Sequence, residues 1–164
     1  MDLYFDEMTT PFGPAAATVN ADGGLVEFTF LNGRMSNLYS HDGKAQRRPG
    51  CVAAVAEQVA AFFERRRTVF DLKLAPVGTE FQKRVWRALC DIPSGETIAY
   101  QTLATRLGDP KATRAVGLAN GRNPIALIIP CHRVIGKNGS LTGYGGGIEL
   151  KRALLDFERP TLCG

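Results

Sequence analysis

The stretch Asn123-Pro124-Ile125-Ala126-Leu127-Ile128-Ile129-Pro130-Cys131-His132-Arg133-Val134 ends an apolar run with a cysteine, a histidine and an arginine in consecutive positions. Five apolar residues between two prolines are too few for a helix. They suit a buried extended segment that holds the backbone rigidly up to Cys131. His132 and Arg133 supply a candidate base and a cation, which is what a reactive thiolate needs. In an extended segment successive side chains point to opposite faces, so Cys131 and His132 are poorly placed for a direct hydrogen bond and need a water between them. A third group should orient the imidazole. Asp156 and Glu158, near the end of the last helix, are both candidates, and the residues alone do not choose between them. An inert core cysteine with a satisfied core histidine fits the same local pattern, so the flanking sequence has to decide.

Immediately upstream, Tyr100 to Leu107 and Lys111 to Asn120 read as two short helices around Gly108-Asp109-Pro110, the pattern of a helix-turn-helix. The second helix carries Ala112, Ala115, Gly117 and Ala119, small residues that let a backbone approach a surface closely, with Lys111, Arg114 and Arg122 as its cations. Few long polar side chains remain to read base edges. Downstream, Gly136 to Gly147 is a glycine-rich loop, mobile or tightly turning, followed by a helix with Leu150, Leu154 and Phe157 on one side and Glu158 at its end. Farther upstream, Thr79-x-x-Gln82 is a capping box that opens a helix carrying Phe81, Val85 and Leu89 on one face. Asp91-Ile92-Pro93-Ser94-Gly95 stops that helix, and Trp86 on it is a core residue.

Pro76-Val77-Gly78 marks a boundary, giving an N-terminal domain over 1–77 and a mostly helical domain over 78–164. In the first, Pro14 to Val19 and Leu25 to Leu31 form a hairpin about the turn Asn20 to Gly24, and a helix runs from about Cys51 to Glu64. Arg65-Arg66-Arg67 closes that helix as a solvated, dipole-complementing end, and Val69 to Leu74 alternates as a short strand. The fold class is therefore α+β.

The chain has 164 residues, 45% hydrophobic and 22% charged, enough to bury a real core and unlike a disordered chain. No apolar run reaches the roughly 18 residues of a membrane span, and the acidic start Met1 to Glu7 is unlike a signal peptide, so a soluble, cytoplasmic protein is expected. Four cysteines at wide spacing, with no C-x-x-C pair, suggest reduced thiols rather than a disulfide framework or a structural zinc site. Basic and acidic residues number 8 and 9 up to Gly78, and 12 and 7 from Thr79 onward. A polyanionic partner would dock on the C-terminal half.

Pro130-Cys131-His132-Arg133-Val134 resembles the active-site motif of the O6-alkylguanine-DNA alkyltransferases. The resemblance extends to Phe81-Gln82, Val85-Trp86, Ile92-Pro93, Gly95-Glu96-Thr97, Tyr100, Arg114 to Gly117, Asn123-Pro124 and Leu141 to Gly147, with Pro11 to Pro14 similar to an N-terminal signature. It implies an N-terminal ribonuclease-H-like α/β domain with an antiparallel sheet and a C-terminal helix-turn-helix domain. The activity implied is single-turnover repair: O6-alkylguanine, and O4-alkylthymine as a second substrate, is flipped from the minor groove of double-stranded DNA and its alkyl group moves to the cysteine. A monomer with no cofactor is expected, with cooperative binding to DNA left open.

By the same resemblance Cys131 is the alkyl acceptor, and Glu158, His132 and a bridging water form the relay that generates its thiolate. Asn123 braces the turn, Tyr100 donates toward guanine N3, and Arg114 enters the base stack beside Lys111, Ala112, Ala115 and Gly117. Tyr144, Gly145, Val134 and Ala126 line the pocket. Ala126 and Gly145 are small where some relatives have a proline and a serine, which implies room for substituents larger than methyl. The metal ligands that some relatives carry in the N-terminal domain are not evident, since only Cys51 and His41 lie there.

Overall fold

The computed structural model describes residues 2–31, 43–141, 144 and 147–160. The chain forms two compact units, one of residues 1–77 with 124–128, the other of residues 78–123 with 129–164. The architecture is α+β.

In the first unit β1 (Leu3–Thr10), β2 (Gly13–Asn20), β3 (Leu25–Phe30) and β4 (Ala45–Arg47) form one sheet in the order β3-β2-β1-β4. The expected hairpin is β2–β3, paired antiparallel with a register shift between Thr18 and Val19. Its turn is held by Asn20, whose side-chain oxygen accepts from the amides of Asp22 at 3.0 Å and Gly24 at 2.8 Å, while Gly23 takes φ +80°. All six residues of β3 are buried, Glu27 and Thr29 included, so the strand is covered on both faces.

The sheet is mixed rather than wholly antiparallel, because β4 returns alongside β1 in parallel register, Leu3 opposite Ala45. β1 itself runs antiparallel to the full length of β2 through the acidic N-terminal residues. Helix α1 (Ala53–Phe63) turns Val55, Val59 and Phe62 inward, and Phe62 and Phe70 stack with centroids 5.5 Å apart.

Val69 to Leu74 forms no strand. Only Leu74 bridges to Leu25, because α1 and its end claim the backbone groups that a ladder would use. Gln58 accepts from Asp71 N and donates to Asp71 O, both at 2.8 Å, and Arg67 donates to Val69 O at 2.9 Å. Arg67 therefore fastens this segment, while Arg66 makes an exposed pair with Glu64.

The second unit contains α2 (Glu80–Leu89), β5 (Ile98–Ala99), α3 (Tyr100–Arg106), a 3-10 turn at Pro110–Ala112, α4 (Thr113–Gly121), a 3-10 turn at Cys131–Arg133, β6 (Val134–Ile135) and α5 (Ile148–Glu158). Both halves of the capping box form at α2: Gln82 N donates to Thr79 Oγ1 at 3.1 Å, and Thr79 N to Gln82 Oε1 at 2.9 Å. Trp86 is buried, and its indole N–H donates to the carbonyl of Ala119 at 2.9 Å, tying α2 to α4. Gly78 lets this ring close over the chain, since a Cβ there would lie 2.5 Å from the indole. The isolated pair β5–β6 is parallel, with Ile98 opposite Val134.

The stretch Asn123 to Val134 is buried but not extended. Ile125 makes one bridge to Phe28, and the chain then turns through Leu127 at φ +68°. Ile128 N donates to Ala126 O at 2.7 Å, and Cys131 N to Ile129 O at 2.8 Å. Two prolines without N–H groups deny the run a continuous ladder, so it satisfies its polar backbone within short turns. Among the described residues, no helix is long and apolar enough to cross a membrane. His41 and Cys163 lie outside the described residues.

Candidate active site

Cys131, His132 and Arg133 occupy successive positions of the 3-10 turn and are all buried, His132 completely. Three residues per turn separate successive side chains by about 120°, so Cys131 and His132 diverge here as they would in a strand. The turn is held from behind by two asparagines. Asn123 Nδ2 donates to Ile129 O at 2.8 Å, and Asn120 Nδ2 to Cys131 O at 3.4 Å.

Helix α5 buries Lys151, Leu154 and Glu158, positions three and four apart on one face. Glu158 sits where His132 and Arg133 converge. It accepts from His132 Nε2 at 2.8 Å, from Arg133 Nε at 3.0 and 3.2 Å, and from Arg133 Nη2. The remaining arm of the guanidinium, Nη1, donates to Ile92 O at 2.6 Å. Arg133 thus fixes the carboxylate, and the carboxylate fixes the imidazole. Lys151 Nζ donates to Val134 O at 2.7 Å from a fully buried position.

The charges follow from this geometry. Burial alone would raise the Glu158 carboxyl, but the hydrogen bonds of His132 and Arg133, with the charge on Arg133 and, in acid where the imidazole is protonated, on His132, outweigh it and hold the group at about 2. An ionised carboxylate can only accept, so the proton it receives must sit on His132 Nε2. Burial also lowers the His132 pKa against the pull of Glu158, which keeps the ring neutral. His132 Nδ1 is then a lone pair, and it is buried with no protein hydrogen-bond partner. Burial raises the Cys131 thiol, opposed by the Asn123 amide and the charge of Lys151. Tyr144 turns a buried hydroxyl toward the same region. Burial first, then the charges of Cys131 and Glu158, push its pKa well up. The arrangement is a thiol that stays protonated until a base acts, with a neutral, oriented imidazole in the same turn.

Of the residues singled out in the sequence, Cys131, His132, Asn123, Glu158, Val134 and Tyr144 fall in this cluster. Asp156 does not: it is exposed and pairs with Arg159 at 3.2 Å. Tyr100 opens α3, half-buried, and Gly117 lies so that a Cβ there would be 3.8 Å from its ring. Lys111, Arg114 and Ala115 are exposed, Ala112 is half-buried and Ala119 is core. Ala126 is buried in the first unit, its N–H donating to Phe28 O at 3.0 Å. Gly145 lies outside the described residues. Among the described residues, no group of three or more His, Cys, Asp or Glu is disposed to hold a metal ion.

Sequence reasoning missed Lys151 and the clamp made by Arg133. For Lys151 the one signal is its place in α5, seven residues before Glu158 and so on the same helical face, which speaks only once Glu158 is known to point inward.

Residues 80–160 match the family model described as 6-O-methylguanine DNA methyltransferase, DNA binding domain. The methylated-DNA–protein-cysteine methyltransferase of Methanosarcina barkeri is 47% identical over 98% of this chain and 99% of its own. That of Mycobacterium leprae is 54% identical over 96% and 93%. The crystal structure of the Mycobacterium tuberculosis O6-methylguanine methyltransferase is 42% identical and superposes with a TM-score of 0.86, covering 98% of this chain and 96% of that one. A structure of OGT from the same organism in complex with DNA gives a TM-score of 0.86 at 44% identity over 95% and 92%. With the cysteine site and these full-length likenesses together, the chain belongs to the methylated-DNA–protein-cysteine methyltransferase family.

Proposed function

We propose that this chain carries out direct-reversal DNA repair, moving the alkyl group of O6-alkylguanine in double-stranded DNA onto Cys131, once and irreversibly. The observation that carries the reading is the buried Cys131 beside a neutral His132 whose Nε2–H is committed to Glu158, leaving Nδ1 as the base. In the reaction Cys131 gives its proton, through a water, to His132 Nδ1, and Glu158 steadies the imidazolium that results. The thiolate sulfur attacks the alkyl carbon in line. A C–S bond forms, the C–O6 bond breaks, and the electron pair leaves on guanine O6. Tyr100 donates toward guanine N3 as charge develops on the leaving base. The proton that His132 took from Cys131 passes through water to the leaving base and completes neutral guanine, and the thioether has no facile hydrolytic exit. O4-alkylthymine presents the same alkyl–oxygen bond and is the second substrate.

In this reading α3 and α4 are a helix-turn-helix that presents α4 to the minor groove, with Arg114 entering the stack where the extruded nucleotide had been. Lys111, Ala112, Ala115 and Gly117 belong to the same surface. The first unit is a ribonuclease-H-like support. One site suffices for one transfer, so the working unit is a monomer. The free thiols of Cys51, Cys90 and Cys131 fit a reducing, cytoplasmic compartment.

Incubation with duplex DNA carrying labelled O6-methylguanine tests this. Label should move to the protein and be abolished in Cys131→Ala. Binding without transfer, or label released to solvent over many turnovers, contradicts it.

A further inference from the structure

The two oxygens of Glu158 are divided unequally. Oε1 is shared between His132 Nε2 at 2.8 Å and Arg133 Nε at 3.0 Å, while Arg133 holds Oε2 through Nε at 3.2 Å and through Nη2. The side chains of His132 and Glu158 are 0% and 1% exposed, and that of Arg133 is 6% exposed. A carboxylate buried so deeply needs a cation against it. Arginine supplies one that keeps its proton at any ordinary pH, whereas histidine supplies one only by taking up a proton. With Arg133 in place the carboxylate is balanced and His132 can stay neutral. Without it, the same carboxylate would draw a proton onto the imidazole. The other groups around the ring do not replace this charge. Lys151, on α5, donates to Val134 O, and its charge acts on His132 less than that of Arg133 does. Cys131 and Tyr144 are acids that burial keeps protonated, so they bring no cation. From the end of α2 come the thiol of Cys90 and the carbonyl of Ile92, which accepts from Arg133 Nη1 at 2.6 Å and anchors the guanidinium on its far side.

We propose that Arg133 is a positioning residue for the transfer: by holding both oxygens of Glu158 it lets the carboxylate orient His132 without charging it, so that His132 begins as a free base and readily returns its proton to the leaving guanine. This rests on His132 being the base of the proposed reaction and adds what keeps that base empty before Cys131 reacts. The charge of Arg133 lowers the His132 pKa and so opposes the upward pull of Glu158, which is the direction the geometry requires. A carboxylate without its guanidinium would orient the ring equally well, but would hold the proton there and leave no lone pair on Nδ1.

The test follows the His132 ring by NMR against pH with Arg133 intact, in Arg133→Gln and in Arg133→Lys, each carrying His41→Ala so that a single histidine reports. With Arg133 intact the ring should titrate below its ordinary value of 6.5. Arg133→Gln should titrate about one pH unit higher, and the acid limb of single-turnover transfer from duplex carrying O6-methylguanine should move up by the same interval. A residue needed only for folding would lower the rate at every pH without moving the limb. Arg133→Lys, which keeps the charge, should bring the titration back toward that of the intact protein. A ring that titrates at or above 6.5 with Arg133 intact, an unmoved titration in Arg133→Gln, or an Arg133→Lys titration displaced as far as that of Arg133→Gln would overturn the proposal. Should Arg133→Gln not fold, the other two proteins decide: both titrating below 6.5 supports the proposal, and either at or above it overturns it. The titrations need no alkylated DNA, so their failure is distinct from failure of the repair reading, in which wild type would move no label to Cys131.

Discussion

Glu158 determines which nitrogen of His132 is available for chemistry. Because its carboxyl is held at about 2, it is an acceptor throughout the neutral range, and His132 must donate through Nε2. If His132 is the base, removing it leaves Cys131 to ionise unaided in a site where burial raises the thiol above its ordinary value of 9.0. His132→Ala should therefore transfer slowly at neutral pH and recover as pH rises past that value, whereas wild type works at neutrality. Stopped-flow transfer kinetics across pH check this, and identical profiles for the two proteins would remove His132 from the relay. The same carboxylate is a stability element. A folded-state value depressed from 4.5 to about 2, at about 1.4 kcal/mol per unit, contributes roughly 3 kcal/mol that is present above 4.5 and lost as pH falls toward about 2. Glu158→Gln should be less stable than wild type by about that amount at neutral pH, with the gap closing in acid. Urea unfolding at several pH values measures it.

Much of this residue-scale picture was legible in the sequence, since adjacent cysteine, histidine and arginine with a distant carboxylate state the chemical need. The clamp was not, because nothing in a Cys-His-Arg run says that the arginine and histidine share one acceptor 25 and 26 residues away. Nor does composition announce that Lys151 is buried. A lysine on an amphipathic helix reads as solvated until the opposite face is known.

Among the elements, α2 was the most readable. Its capping box is written in four residues, and both reciprocal hydrogen bonds form. Thr79→Ala should cost about 1 kcal/mol by loss of the cap. Gly78→Ala should cost more, about 1–3 kcal/mol, because its Cβ would meet the Trp86 ring at 2.5 Å and the ring is anchored to Ala119. Denaturant midpoints of the two variants give the order, and a Gly78→Ala protein as stable as wild type would show that the indole can shift. The element that sequence misjudged is the one leading into Cys131. Apolar composition correctly gave burial for Ile125 to Ile129, but burial does not distinguish a strand from a chain of tight turns. Leu127 at φ +68° has no local signature, since leucine rarely adopts that conformation. Val69 to Leu74 failed for a related reason: alternation was present, but Gln58 and Arg67 took its backbone partners.

For the whole molecule, the two units divide the work in the proposed reading, one building a sheet and the other holding cysteine, relay and α4. The boundary near Gly78 is visible in Pro76-Val77-Gly78. The return of residues 124–128 to the first unit is not, because its pairing with Phe28, through Phe28 N to Pro124 O and Ala126 N to Phe28 O, joins positions about a hundred residues apart that no local pattern links. That short excursion immediately precedes the turn at Cys131 to Arg133.

In the proposed reaction Cys131 is consumed by its own chemistry. Intact-mass spectrometry, after incubating the protein with a large excess of duplex carrying O6-methylguanine, addresses it most directly. Every chain should gain a single methyl group, localised by peptide mapping to Cys131, and the amount of repaired guanine should stop at the amount of protein. Continued repair beyond one equivalent with the protein mass unchanged, or methylation at a residue other than Cys131, would contradict it.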